Sequence, residues 1–168
     1  VDVEPDHVGR HLVVAQMLGD AADLVRPGLA LYGGVPCAAL EGAIRPVATP
    51  EAEVLQRRTV RAGDSVGYDA TWTATRDTQV AILSIGYADG YARALSGVGA
   101  AHVGDTRLPL LGRVSMDLVA IAVDDAPRLA EGDRVRLDYA LPAASASSGV
   151  SQYELLTRLG TRYARVWG

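Results

Sequence analysis

The stretch VGYDATW contains a tyrosine at a position where the local structure does not require one. Tyr68 follows Gly67 directly after the turn residues of RAGDS, where a plain hairpin needs only a small polar side chain. The phenol therefore either fills the core at the start of a strand or is held out by a loop for chemistry. Turn signals and composition alone favour the first interpretation.

Two further stretches place tyrosine or charge beside turn residues. GYADGYAR carries Tyr87 and Arg93 around an Asp-Gly turn, which also fits an amphipathic hairpin tip. In LLGRVSMDLVAI, Arg113, Met116 and Asp117 interrupt an otherwise apolar strand. Burying an unpaired charge is costly, so these charges need partners. A structural ion pair explains them as simply as a binding site does.

The stretch VRPGLALYGG combines an arginine with a flexible backbone. Gly28 lets the main chain approach an anion closely, and neighbouring N–H groups could cradle a phosphate near Arg26. A surface turn is the alternative, because Arg-Pro-Gly is a common turn sequence.

The elements that must position these residues are mainly short strands. Separators that combine Gly with Asp, as tight hairpins do, lie between six strand-like runs. This spacing predicts a mainly β fold, either a sandwich or a small antiparallel barrel of Greek-key type. The six runs are 54–60, 78–85, 101–103, 107–112, 118–123 and 134–139.

Helical signals are confined to the two ends of the chain. SQYELLTRLG has a capping-box pattern at Ser151 and Glu154, then an apolar face and Gly160 as a stop, which predicts a short closing helix. HLVVAQMLGDAADL near the N-terminus predicts a helix broken near Gly19. The Ala/Ser-rich residues 140–150 predict a mobile loop, and residues 34–46 a linker.

Composition excludes several function classes. The chain has 168 residues, 49% of them hydrophobic, and a net charge of −4, so a core is expected and a nucleic acid partner is not. One cysteine, Cys37, leaves no metal-ligand cluster, and no apolar run is long enough to span a membrane. We expect a soluble, cytoplasmic protein. All 16 basic residues are arginine, so the sequence contains no lysine.

The order and spacing of RPGLALYG, VGYDATW, IGYADGY, GRVSMD and YELL, between about Leu24 and Val166, resemble the alanine racemase family. The resemblance implies a pyridoxal-phosphate enzyme that interconverts L- and D-alanine and supplies D-alanine for the cell wall. It implies that residues 1–37 are the last part of an N-terminal α/β barrel. Residues 38–168 would then be the C-terminal β domain.

By this resemblance, Tyr68 is one of two acid/base groups on opposite faces of the substrate α-carbon, because a racemase removes a proton on one face and returns it on the other. A free tyrosine has a pKa of about 10, so a base role at neutral pH requires stabilisation of the phenolate. Met116 matches the residue whose main-chain N–H holds the substrate carboxylate. The entry corridor for small amino acids would be lined by Tyr87, Arg93, Arg113 and Asp117.

The resemblance also implies the cofactor contacts. Arg26 would hydrogen-bond the pyridine nitrogen and keep it unprotonated, while His7, 19 residues earlier, would support that arginine. Backbone groups of Gly28 and Leu29 and the hydroxyl of Tyr153 would bind the phosphate. The family's Asn-Ser-Ala-Ala-like run after the histidine is missing.

The family's Schiff-base lysine, the second acid/base group, has no counterpart in this sequence. We therefore expect the chain to be inactive alone, with an apolar surface that favours a homodimer or a complementing barrel half. Two alternatives stay open: a noncatalytic β module that binds a partner or small anion, and a pyridoxal-phosphate racemase for other amino acids.

Overall fold

A computed structural model describes residues 28–167 of the chain, which divides into two units, 1–48 and 49–168. His7, His11, Arg26 and the predicted N-terminal helix lie outside the described residues. The described part of the first unit contains two short 3-10 helices, Leu29–Tyr32 and Ala38–Leu40. The assignment of residues 1–37 to a barrel stays a prediction.

The second unit contains eight strands: β1 Glu51–Val60, β2 Ser65–Val66, β3 Trp72–Thr73, β4 Thr78–Leu83, β5 Ala100–Val103, β6 Thr106–Leu111, β7 Val119–Ala122 and β8 Arg134–Leu137. Six of them form a closed antiparallel barrel in the order β1-β4-β7-β6-β5-β8, so the predicted mainly β fold is confirmed. The other two, β2 and β3, pair in a separate ribbon. All six predicted strands are present, with ends that differ by up to about three residues.

Strands β4 and β7 contribute apolar side chains to two different hydrophobic clusters, one on each face of the sheet. Alternate residues of a strand point to opposite faces, so Ala81 and Ile121 enter the barrel interior while Val80 and Ala120 face outwards. The outward residues belong to a separate group, here called the outer cluster, which extends to the β2–β3 ribbon. Its buried members are Val60, Val66, Ala74, Val80, Leu111 and Ala120.

Two helices follow the barrel, α1 Leu141–Ser148 and α2 Gln152–Arg158. The prediction of a mobile loop over 140–150 was wrong. Alanine has the highest helix propensity, proline is tolerated in the first turn, and Gly149 ends the helix with a left-handed φ of 71°. Leu141 and Ala144 are buried against the main core, which anchors this Ala/Ser segment.

Helix α2 begins as predicted, because the Ser151 side chain accepts a hydrogen bond from the Glu154 N–H at 3.2 Å. The helix ends at Arg158, before the predicted stop at Gly160, and the Glu154 carboxylate pairs with Arg158. Leu155 is fully buried and anchors α2 on the barrel. Within residues 28–167, neither helix is long and apolar enough to cross a membrane.

Candidate functional site

Tyr68 lies outside the core. It begins a 3-10 turn, Tyr68–Ala70, and its side chain is 66% exposed. Asp69 and Ala70 have φ values of 60° and 47°, and they are the two non-glycine residues with positive φ in the described part of the chain. This left-handed backbone costs about 1–3 kcal/mol per residue and persists only where surrounding structure enforces it. The phenol is therefore presented by a strained, built loop.

The β2–β3 ribbon carries this loop and is packed onto the barrel. The hydroxyls of Ser65 and Thr73 share a hydrogen bond of 3.0 Å across the ribbon, and Val66 is buried in the outer cluster. Gly112 has a φ of 68°, and a Cβ there would lie 2.6 Å from the Val66 carbonyl oxygen. Glycine at this position lets the chain after β6 pass directly beneath the ribbon.

Arg113 contacts the residues on both sides of Tyr68. A Cβ on Gly67 would lie 3.3 Å from the Arg113 backbone nitrogen, and Arg113 Nη1 donates to Asp69 Oδ2 at 2.6 Å. The predicted structural ion pair therefore exists, and it lies directly beside the tyrosine. Asp69 was not among the residues selected from the sequence.

A cleft of about 300 Å³ opens beside Tyr68. Its polar lining consists of Arg58, Tyr68, Arg113 and Ser115, and residues of the outer cluster supply much of its apolar surface. The cleft therefore combines a phenol and two guanidinium groups with a hydrophobic lining. The apolar lining residues are Val66, Ile82, Leu111, Leu118, Val119 and Ala120.

A second loop pair brings Tyr87 to Met116. Tyr87 begins a 3-10 turn, Tyr87–Asp89, whose backbone is bound to the loop after β6: the Tyr87 N–H donates to the Ser115 carbonyl at 3.0 Å and the Ala88 N–H to the Met116 carbonyl at 2.9 Å. A Cβ on Gly86 would lie 2.3 Å from the Met116 oxygen, so only glycine fits. Ser115 is bonded to the Tyr87 turn and also lines the cleft, so it links this loop pair to the cleft.

The Met116 backbone N–H donates to no acceptor among residues 28–167, although the N–H groups of Ser115 and Leu118 are both bonded. Ser115 and Leu118 close the turn between them: the Ser115 N–H donates to the Leu118 carbonyl at 3.0 Å, and the Leu118 N–H to Ser115 Oγ at 3.1 Å. The Met116 side chain is 54% exposed. A free N–H on a rigid turn is a ready hydrogen-bond donor for a ligand carboxylate.

One cation from the C-terminal segment holds these two turns together. Arg162 Nη1 lies 2.9 Å from Asp117 Oδ1 and 3.3 Å from Asp89 Oδ1. The other Asp89 oxygen accepts from the Gly86 N–H at 2.8 Å. The hydrogen bond to Asp117, together with the charge of Asp89, raises the pKa of the Arg162 guanidinium. Arg162 and Asp89 were not selected from the sequence, which carries no local signal for a contact across 45 residues.

The other site residues predicted from the sequence lie outside the cleft beside Tyr68. The Arg93 guanidinium carbon lies 5.8 Å from the centre of the Tyr87 ring, a cation–π contact. Tyr153 is half-exposed on α2 and does not line the cleft. Gly28 and Leu29 belong to the other unit, where Leu29 begins a 3-10 helix with a buried side chain. Within residues 28–167, no group of three or more metal-ligating side chains occurs.

Other tyrosines of the second unit have structural surroundings that distinguish them from Tyr68. The Tyr139 hydroxyl donates to the Leu155 carbonyl at 2.9 Å and also lies 3.3 Å from the Gly90 carbonyl, which ties α2 to the Tyr87 turn. Burial raises the pKa of Tyr139 to about 12 and raises that of Tyr91 further. Such phenols stay neutral and enclosed, so they suit packing and not proton transfer.

Comparison with known proteins gives concordant matches. Residues 47–167 match the family described as "Alanine racemase, C-terminal domain". The chain is 46% identical to an alanine racemase of Methylobacterium nodulans over 159 residues, covering 88% of this chain and 42% of that protein. It is 44% identical to a catabolic alanine racemase of Agrobacterium fabrum, covering 84% and 38%.

Solved structures agree with the sequence relatives. The biosynthetic alanine racemase of Pseudomonas aeruginosa superposes with a TM-score of 0.77 at 38% identity, over 86% of this chain and 42% of that one. The alanine racemase of Bartonella henselae, solved with covalently bound pyridoxal phosphate, gives 0.78 at 38% identity, over 86% and 41%. The chain thus spans about two fifths of the length of the relatives it matches.

Proposed function

Because the chain belongs to the alanine racemase family through its C-terminal domain, we propose that it supplies the tyrosine half of a pyridoxal-phosphate racemase site for L- and D-alanine. The observation that carries the proposal is Tyr68: an exposed phenol on a strained turn beside a cleft with two guanidinium groups. Backbone strain of this kind concentrates at functional sites, and a solvent-accessible phenol can exchange protons with a substrate.

The cofactor fits this sequence in part. Pyridoxal phosphate, when bound, supplies the electron-withdrawing ring that makes the α-proton of alanine removable. No lysine occurs in these 168 residues, so the amine that attaches the aldehyde lies outside this sequence. Gly28, Leu29 and Tyr153 carry donors that suit a phosphate group, and with Arg26 and His7 they stay predicted contacts.

The substrate is held and oriented by backbone as much as by side chains. We assign the free N–H of Met116 to the substrate carboxylate, since the neighbouring hydrogen bonds fix the direction in which it points. Tyr87, Arg93, Arg113 and Asp117 line the approach. Arg113 and Asp117 are each paired with an opposite charge, so neither presents an unpaired charge to the substrate. A small neutral amino acid fits this arrangement.

In this proposal Tyr68 moves a proton between its phenolic oxygen and one face of the substrate α-carbon. The second group, on the opposite face, comes from the part of the active site that these residues do not contain. The isolated chain is therefore expected to be inactive, and activity requires a barrel half that carries the lysine. Tyr68, Met116 and Leu118 expose apolar surface around the cleft, which favours such an association.

A complementation assay tests the proposal. The chain is mixed with a barrel half from a lysine-containing relative, and the interconversion of D- and L-alanine is followed. We expect activity in the mixture and a large loss of kcat on Tyr68→Phe, since this change removes only the proton-carrying oxygen. Tyr163→Phe is the matched control, because its buried hydroxyl has no hydrogen-bond partner in residues 28–167. Full activity of the Tyr68 variant would refute the assigned role.

A further inference from the structure

We propose that Asp69 is a positioning residue for Tyr68, acting with Arg113 as a clamp that holds the turn Tyr68–Ala70 in place. The inference rests on the proposed function of Tyr68 and adds a residue that neither sequence motifs nor charge alone select. Its basis is that Arg113 touches the residue before Tyr68 with its backbone and the residue after it with its side chain.

The first contact is the close approach between Gly67 and the Arg113 backbone. Gly67 has a φ of 81°, and its α-carbon faces Arg113 so directly that an added Cβ would lie 3.3 Å from the Arg113 nitrogen. Gly112, which precedes Arg113, packs still more closely on the Val66 carbonyl, because an added Cβ there would lie 2.6 Å from its oxygen. The incoming arm of the turn is thus fixed by main-chain packing.

The second contact is the charge-assisted hydrogen bond from Arg113 to Asp69. Asp69 has a φ of 60°, which turns the chain sharply after Tyr68, and its carboxylate accepts from Arg113 Nη1 at 2.6 Å. Aspartate and asparagine tolerate the left-handed region better than most residues. Aspartate at position 69 therefore suits both the left-handed turn and the ion pair. Ala70 also has a left-handed backbone, but its side chain cannot form a hydrogen bond that would stabilise the turn.

With its two neighbours held by the same arginine, Tyr68 has little freedom of backbone position. Its side chain is largely exposed, so burial does little to orient it and the clamp takes that role. The pairing also occupies the Arg113 guanidinium, whose charge is balanced before any substrate arrives. Exposed ion pairs are weak, and they shift a local equilibrium by up to about fivefold.

Two variants separate the clamp from the backbone turn. Asp69→Asn keeps a side chain that tolerates the left-handed region and removes the charge, while Arg113→Gln removes the donor and leaves position 69 unchanged. Asp105→Asn and Arg128→Gln are matched controls, since both residues are exposed and make no hydrogen bond or ion pair to residues 28–167. The double variant tests whether the two residues act through one interaction.

The first measurement uses the full 168-residue chain without cofactor. Backbone ¹⁵N relaxation should show rigid amides at Tyr68–Ala70, with order parameters of about 0.85, that decrease in each single variant by more than in the controls. The double variant should fall no further, and the controls should stay rigid. Order parameters that stay high in both single variants would overturn the clamp.

The second measurement uses the chain complemented with a lysine-bearing barrel half. We expect Asp69→Asn and Arg113→Gln to lower kcat about two- to fivefold, with thermal midpoints equal to the controls. The Asn variant should leave KM unchanged. An unchanged kcat with a loosened turn would refute the positioning role. Full activity of Tyr68→Phe would refute the proposed function instead, while the relaxation result would still decide the clamp.

Discussion

Gly112→Ala is the substitution that best tests how the tyrosine turn is attached to the barrel. Gly112 combines two constraints: a φ of 68°, which L-residues rarely adopt, and a hypothetical Cβ only 2.6 Å from the Val66 carbonyl oxygen. Contacts below 3.0 Å do not persist, so the ribbon must move away by several tenths of an ångström. The outer cluster beneath Val66 then loses contacts.

The cost has two parts that a matched control can separate. Alanine in the left-handed region costs roughly 1–2 kcal/mol, partly offset by about 0.4–1 kcal/mol from the stiffer unfolded chain. Gly104→Ala carries this part alone, because Gly104 has a φ of 56° and no atom within 4 Å of its added Cβ. The displaced ribbon at Gly112 adds an overpacking cost of about 1–3 kcal/mol.

Thermal unfolding and tryptophan fluorescence provide the readouts. In a chain of this length about 1 kcal/mol lowers Tm by roughly 2–4 °C, so we expect a fall of up to about 6 °C for Gly104→Ala and about 2–18 °C for Gly112→Ala. Trp167→Phe leaves Trp72, on the ribbon, as the single tryptophan, and its emission should shift to the red only in the Gly112 variant. Equal Tm values and unchanged Trp72 emission in both variants would refute the close-packing argument.

Three further predictions concern the turn at Gly86, the ion pairs of Arg162 and the buried phenol of Tyr139. Gly86→Ala places a Cβ 2.3 Å from the Met116 oxygen and should raise KM for alanine in the complemented enzyme at least several-fold; an unchanged KM would exclude that turn from substrate binding. Arg162→Gln removes the cation shared by two carboxylates and should raise KM about two- to fivefold, whereas exposed Arg165→Gln should have no effect. Burial raises the pKa of Tyr139 to about 12 from about 10 in the unfolded chain, so its contribution to stability is present below pH 10 and is lost towards pH 12. Urea unfolding against pH should show this loss, with a shallower slope in Tyr139→Phe.

The barrel was predictable because its signals are local. Alternating apolar residues and Gly/Asp turns mark each strand within a few neighbours, and all six predicted barrel strands are present. The cap of α2 was equally local, since Ser151 and the Glu154 N–H are three residues apart. Residues 140–150 were misjudged because their composition resembles a flexible segment, while the buried contacts of Leu141 and Ala144 are made with distant residues.

The same distinction between local signals and distant contacts applies to the residues of the candidate site. Tyr68 and Met116 were selected from the sequence because ordered motifs resemble the alanine racemase family, and their roles stay proposals. Asp69 and Arg162 were missed because their partners are 44 and 45 residues away, and no short pattern announces such contacts.

The sequence by itself determined which residues can carry chemistry, which strands form, and that no lysine is present to attach a cofactor. Only the tertiary structure decided that Tyr68 is exposed on a strained turn, and that Arg113 contacts the residues on both sides of it. The physical reason is distance along the chain. Strand and cap signals act between near neighbours, whereas close glycine contacts and ion pairs form only when the closed barrel brings remote segments together.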